Sequence, residues 1–193
     1  CAGWDVKFRA PADLRLVFED LWTNRAHTVM LARQGILTRP QAAAILRALA
    51  EIERLAREGR FEIPPDAEDV HMAIEREVTR LAGPDSGGWL HTGRSRNDQA
   101  ATDIRLWMRR RSIEMQRRLA ALGGALCHHA ERHLETVCPG FTHMQPAMIT
   151  TWAHIVEAWA EGIYRDLYHF SWLMYPLTLH TECPLGAAAS FGV

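Results

Sequence analysis

Lysine is almost missing from this sequence. Lys7 is the sole lysine among 193 residues, and the other 21 of its 22 basic residues are arginine. Codon usage accounts for that bias as readily as surface ion pairing does. Neither sign of charge is in excess, since 22 basic residues stand against 23 acidic ones, a formal net charge of -1. A dedicated nucleic-acid binder carries a clear basic excess, so that class is excluded. No apolar run reaches the roughly 18 residues that a bilayer-spanning helix needs, which argues against a membrane protein. None of the four cysteines (Cys1, Cys127, Cys138, Cys183) forms a C-x-x-C pair, so zinc ribbons and thioredoxin-type redox sites are out. Free thiols in a reducing cytoplasm are the expectation. No alternation of period two and no internal repeat is visible.

What remains is ordinary globular composition, 48% hydrophobic and 23% charged, which rules out disorder as the overall state. The length suits one domain, or one and a part. Helical periodicity dominates. Leu14, Val17, Phe18, Leu21 and Trp22 fall at three- and four-residue spacing, Met30 and Leu31 continue the stripe, and Gly35 stands where a helix ends. Thr38, Pro40 and Gln41 read as a capping box for a second helix, whose apolar face runs from Ile45 to Leu55 and which Gly59 closes. Acidic residues at 66–69 suit a helix start, and Val70–Leu81 reads as a shorter helix. Residues 83–88 read as a loop.

Asn97 reads as the N-cap of a helix reaching to about His133, which at ~35 residues would be ~50 Å long. Cys138-Pro139-Gly140 breaks the pattern, and a second long helix is predicted from about Ala147 into the Trp172 region, with Pro176 near its end. The fold class is all-α, a bundle of long helices. Two such helices leave Trp107, Trp152, Trp159 and Trp172 wanting cover from more chain or from partner subunits.

Two polar clusters precede the long helices. Leu90 to Gln99 is a glycine-containing turn rich in donors: Thr92, Arg94, Ser95, Arg96 and Asn97. Backbone N–H groups at the start of a helix make an anion site there, suited to a small dicarboxylate. The cluster lacks the spacing of a nucleotide phosphate loop. The alternative is a capped turn with solvated arginines. The second cluster is Gly140 to Pro146, in which His143 can act as acid or base near neutral pH and Thr142 and Gln145 can hold a carboxylate. A structural histidine is the alternative. His129 and His133 share a helix face but have no third metal ligand at a persuasive spacing. Arg109-Arg110-Arg111 reads as a solvated face.

At these clusters the sequence resembles argininosuccinate lyases of the fumarase/aspartase superfamily. Leu90 to Trp107, LHTGRSRNDQAATDIRLW, is similar to that family's first signature, and Gly140 to Pro146, GFTHMQP, to its second. Thr151 to His154 continue the second. Glu68-Asp69-Val70-His71 resembles the acidic helix start, and Pro184 to Ala187 the loop after the central helix. The resemblance implies an N-terminal helical domain over residues 1–96 and the first part of a central long-helix bundle over 97–193. It further implies a cytoplasmic homotetramer with active sites shared between subunits, acting in arginine biosynthesis. The implied reaction is β-elimination across a C–N bond of an N-succinyl amino acid, releasing fumarate, with no metal and no cofactor. Ser95, Arg96 and Asn97 would bind substrate, Thr142 would grip a carboxylate with Gln145 beside it, His143 would be the acid/base group, and His71 would lie at the site.

Two departures qualify that picture. The family's third signature, G-S-S-x-M-P-x-K-x-N, which brings a serine base and a lysine, is not in the sequence. The expectation is therefore an N-terminal piece of such an enzyme, inactive by itself. The W-G-G-R-F opening is also missing, with only an echo at Trp4 to Arg9. That leaves room for a lyase of another N-succinyl amine, such as ethylenediamine-disuccinate lyase, or for a non-catalytic relative like the lens delta crystallins.

Overall fold

The computed structural model describes residues 10–179. The Trp4 to Arg9 stretch and the loop at Pro184 to Ala187 lie outside the described residues. The chain divides into two compact units, one running to Trp107 and the other beginning at Met108.

The first unit is built on three helices, α1 (Val17–Arg33), α2 (Arg39–Arg57) and α3 (Val70–Ala82), preceded by short helical turns at Ala10–Asp13 and Leu14–Leu16. Helix α1 ends as its sequence dictates. Gly35 takes φ +74°, and the amides of Ile36 and Leu37 both donate to the Leu31 carbonyl, at 3.0 and 3.2 Å. Thr38 then caps α2 in a full capping box. Its side chain accepts from the Gln41 amide, while its own amide donates to Gln41 Oε1 at 3.0 Å. Thr38→Ala is expected to cost about 1 kcal/mol, read as a lower urea midpoint.

Ala42, Ile45, Ala48, Leu49 and Ile52 recur at helical spacing along α2 and are buried. They pack with Val17, Leu21 and Leu31 from α1 and Val70, Ile74 and Val78 from α3 into one core. Trp22 and Met30, placed on the α1 stripe by periodicity, are exposed instead, Trp22 by 60%. The buried face of α1 runs through Leu21, Asn24, Thr28 and Leu31, and Trp22 points off it. Helix α3 is capped by Asp69, whose carboxylate accepts from the Met72 amide at 2.7 Å. The 83–88 segment contains one helical turn, Pro84–Gly87, rather than loop throughout, and it closes on the Gly83 carbonyl.

The 36-residue helix α4 (Arg96–Glu131) starts in the first unit and continues into the second. Its cap is Ser95, not Asn97. The Ser95 amide donates to Asp98 Oδ1 at 2.6 Å, and Ser95 Oγ accepts from the Asn97 amide at 3.3 Å. An acid three residues after a serine makes a reciprocal cap that Asn97 has no equivalent partner to form.

In the second unit the predicted helix from Ala147 is replaced at its start by a strand. Strands β1 (Val137–Thr142) and β2 (Gln145–Thr151) pair antiparallel, and helix α5 (Trp152–Leu179) follows directly. Ile149, Thr150 and Thr151 favour extended backbone, and the pairing runs Val137 to Thr151, Cys138 to Thr150 and Pro139 to Ile149. The register shifts between Pro139 and Phe141, where a Cβ on Gly140 would lie 3.0 Å from the Met148 carbonyl oxygen. A glycine therefore sits in the bulge.

The small core of this unit joins Ala130, Ala153 and Val156 to Leu126 and Trp152. Trp152 Nε1–H donates to His129 Nε2 at 2.9 Å, and the His129 and His133 rings lie 4.6 Å apart. Those histidines are thus engaged in packing. Among the described residues no third His, Cys, Asp or Glu joins them as a metal ligand. Trp159, Trp172, Tyr164, Tyr168 and Tyr175 are exposed. No helix among the described residues is long and apolar enough to cross a membrane.

Candidate active site

The donor-rich turn is held from beneath. Leu90 is buried in the first core, and Gly93 takes φ +70°, a left-handed conformation that glycine adopts freely. His27 on α1 donates from Nε2 to the Thr92 carbonyl at 2.8 Å. The guanidinium of Arg94 donates to Asn24 Oδ1, and its Nε is buried with no hydrogen-bond partner. Arg96 is held by acids. Its Nη2 lies 3.3 Å from Glu75 Oε2, its Nε 3.5 Å from Asp69 Oδ2, and its Nη1 donates to Gln99 at 3.2 Å. Ser95 is half-buried at the cap, and Asn97 is exposed.

An open pocket of about 520 Å³ lies beside this turn, lined by His27, Met30, Gln34, Ile36, Gly93, Arg94 and Asp98. Burial, and then the Arg94 charge, hold both His27 and His91 below the usual histidine range. Burial likewise lowers Arg94. Burial, the largest cause at all three groups, makes positive charge in the turn costly, and a bound anion would relieve that cost.

Behind the turn lies a buried polar cluster that periodicity alone does not reveal. Asp20 on α1, His71 on α3 and Asp103 on α4 are all buried, the two aspartates completely. Asp20 accepts three hydrogen bonds. His71 Nδ1–H (3.0 Å) and Gln99 Nε2–H donate to its Oδ1, and Asn24 Nδ2–H donates to its Oδ2 at 2.9 Å. Asp103 accepts one, from Thr23 Oγ1 at 2.7 Å, and its Oδ2 has none, with His71 Nδ1 3.4 Å away. Burial penalises the Asp20 carboxylate, but its bond to His71, the His71 charge and the other donors outweigh it and hold Asp20 below the usual carboxylate range. Burial, and next the Asp20 charge, push Asp103 up to about 9.

Of the residues singled out in the sequence, Ser95, Arg96 and Asn97 therefore stand at the start of α4, with His71 one layer behind them, joined through Asp20 and Gln99. Thr142, His143 and Gln145 belong to the second unit, at the tip of the hairpin, where all three are exposed. Thr142 and Gln145 face each other as the last strand pair, and His143 and Met144 form the turn with φ of 49° and 60°. Two successive non-glycine residues with positive φ are uncommon and costly, and such strain concentrates where function holds a side chain. Asp20 and Asn24 escape a reading by sequence pattern, and Gln99 and Asp103 lie within the 90–107 signature without a role being assigned to either. The available signal is polar residues in core positions: Asn24 and Thr28 interrupt the Leu21–Leu31 face of α1, and Gln99 and Asp103 lie four apart on α4.

A lyase family profile matches residues 9–192. The argininosuccinate lyase of Halorhodospira halophila is 44% identical over 180 residues, covering 93% of this chain and 38% of that protein. The enzyme of the same name from Ralstonia pickettii is 41% identical over 203 residues, covering 98% and 42%. A solved EDDS lyase variant with bound fumarate superposes with a TM-score of 0.74 at 31% identity, over 92% of this chain and 34% of its own. This chain thus spans about two-fifths of the length of the curated relatives it matches.

Proposed function

Because the chain belongs to the lyase family, we propose that it supplies two of the substrate-holding segments of a carbon–nitrogen lyase that releases fumarate from an N-succinyl amino acid, argininosuccinate first. The observation that carries this reading is the turn at 91–97, which sets the serine-capped start of a 36-residue helix among Arg94, Arg96 and Asn97. Helix N-termini and arginine guanidinium groups stabilise carboxylate charge.

The elimination needs a base to take the proton from the carbon next to a carboxylate. The electron pair left behind passes through a carboxylate-stabilised dianion to form the fumarate double bond. The C–N bond then breaks, and an acid protonates the departing nitrogen. Ser95 and Asn97, with the backbone of the α4 start, bind one carboxylate of the succinyl half. Arg96, balanced by Asp69 and Glu75, sets the charge around it. Thr142 and Gln145 hold the other carboxylate, and His143, presented on a strained turn, is the acid/base group. His71 supports the first segment through Asp20. The complete site would be assembled in a homotetramer that brings both segments together. The likeness to an EDDS lyase that binds fumarate favours a second reading, in which the amine half is not arginine.

A chimera tests this. The chain replaces the matching part of the Halorhodospira halophila argininosuccinate lyase, and release of fumarate is measured from argininosuccinate and from ethylenediamine disuccinate. Fumarate is expected, and His143→Asn is expected to lower kcat by about 10²–10⁴-fold with the assembly intact. An assembled chimera that turns over neither compound would overturn the proposal.

A further inference from the structure

We propose that Asp20 and Asp103 hold one proton between them, carried on Asp103 Oδ2, and that this singly charged pair keeps Gln99 and Arg94 in position behind the anion turn. Its consequence for substrate rests on the reading given above, but the proton itself does not.

The hydrogen-bond account is lopsided. Asp20 receives donors on both oxygens, from His71, Gln99 and Asn24. Asp103 receives one, on Oδ1, and its fully buried Oδ2 has no hydrogen bond. A buried carboxylate oxygen without a donor is expensive, while a buried carboxylic acid brings a hydrogen of its own, which the neighbouring Asp20 carboxylate can accept. His71 cannot supply the missing hydrogen, because Nδ1 carries one hydrogen at most and the 3.0 Å contact to Asp20 uses it. A carboxylate oxygen from each of Asp20 and Asp103 and a ring nitrogen of His71 all lie within 4.8 Å of one another, too close for two buried negative charges. The charge therefore belongs on Asp20 and the proton on Asp103.

The charged groups facing Asp103 are Asp20 from α1, His71 from α3 and Arg94 from the turn. With Asp103 neutral, the single Asp20 charge faces Arg94 and the His71 ring. Asp20 then holds Gln99 directly and Arg94 through Asn24. A second negative charge, on Asp103, would draw the Arg94 guanidinium and the Gln99 amide hydrogens toward it.

Carbon-detected NMR of the intact chain tests this without ligand or turnover. The carboxyl carbons of Asp20 and Asp103, the Gln99 carboxamide and the Arg94 guanidinium carbon are followed through a pH titration. Asp103 is expected to stay protonated up to about 9 while Asp20 stays charged, and the Gln99 and Arg94 signals to shift with the Asp103 midpoint. In Asp103→Asn, which keeps shape and neutrality, that shift is expected to vanish. A second reading is stability. An acid protonated when folded but ionised when unfolded destabilises the fold progressively between roughly pH 4 and 9. The urea midpoint of Asp103→Asn should therefore pull ahead of the parent across that window and run parallel above it. Titration of Asp103 at an ordinary carboxylate value overturns the proposal. So do Gln99 and Arg94 signals that shift equally in the variant. Failure of the lyase reading would leave all of these signals unchanged.

Discussion

Asp20→Ala is expected to cost the first unit about 3–5 kcal/mol, the scale set by removing one partner of a buried charged network. A domain's whole stability is only about 5–15 kcal/mol, so this single change brings the unit near its threshold. The reason lies in what the substitution strands. His71, Gln99 and Asn24 all lose their acceptor, and each is buried away from solvent. Arg94 loses the largest of the negative charges that favour its own, and keeps its contact to Asn24. Hydrogen exchange at Ile45, Leu49 and Ile74, all fully buried in the same core, reports the loss at its site. Exchange free energies within about 1 kcal/mol of the parent's would show that Asp20 is not the hub described here.

The second large effect comes from a single methyl group. Gly87 is buried where the helical turn at Pro84–Gly87 crosses α3. A Cβ placed on it would lie 2.4 Å from Thr79 Cα, 2.8 Å from Thr79 N and 3.0 Å from the Val78 carbonyl oxygen. All three are backbone atoms of a packed helix, so no side-chain rotation relieves the clash. Gly87→Ala is therefore expected to cost about 3 kcal/mol, at the upper end of overpacking, and to displace the turn that leads into Leu90 and Gly93. The comparison with Gly35 and Gly59 separates two causes. Those glycines have positive φ, but a methyl group added to either of them would meet nothing within 4 Å. Alanine there costs only the left-handed backbone, about 1–2 kcal/mol. Equal urea midpoints for Gly87→Ala and Gly35→Ala would contradict the close approach.

The helices of the first unit are legible in the sequence because their ends carry local chemistry. Thr38 with Gln41, Gly35 and Gly59 each do at a boundary what their side chain, or its absence, permits. Asp98 decides the cap at Ser95, and Asn97 misleads because two good capping residues stand two apart. The hairpin is hidden for a different reason. Its turn is His143-Met144 rather than an asparagine–glycine pair, and its strands contain Pro139, Gly140 and Pro146, residues that usually punctuate. The anion turn is visible as a cluster of donors. The Asp20 cluster is not, because its members come from α1, α3 and α4 and only the packing of those helices brings them together. Asp20 sits beside Leu21 and Asp103 beside Ile104, where a sequence pattern sees only a polar residue next to an apolar one.

Asp103 also alters how the folded chain moves in an electric field. The formal count of -1 charges every aspartate. Keeping one of them protonated at neutral pH leaves the folded chain with one fewer negative charge than its unfolded form. The sequence by itself balances its charges near pH 6.9, so the native species balances at a higher pH, and unfolding near neutrality releases a proton into the buffer. Native and denatured chains of identical sequence thus focus at different points in a pH gradient, the native one toward the more basic side.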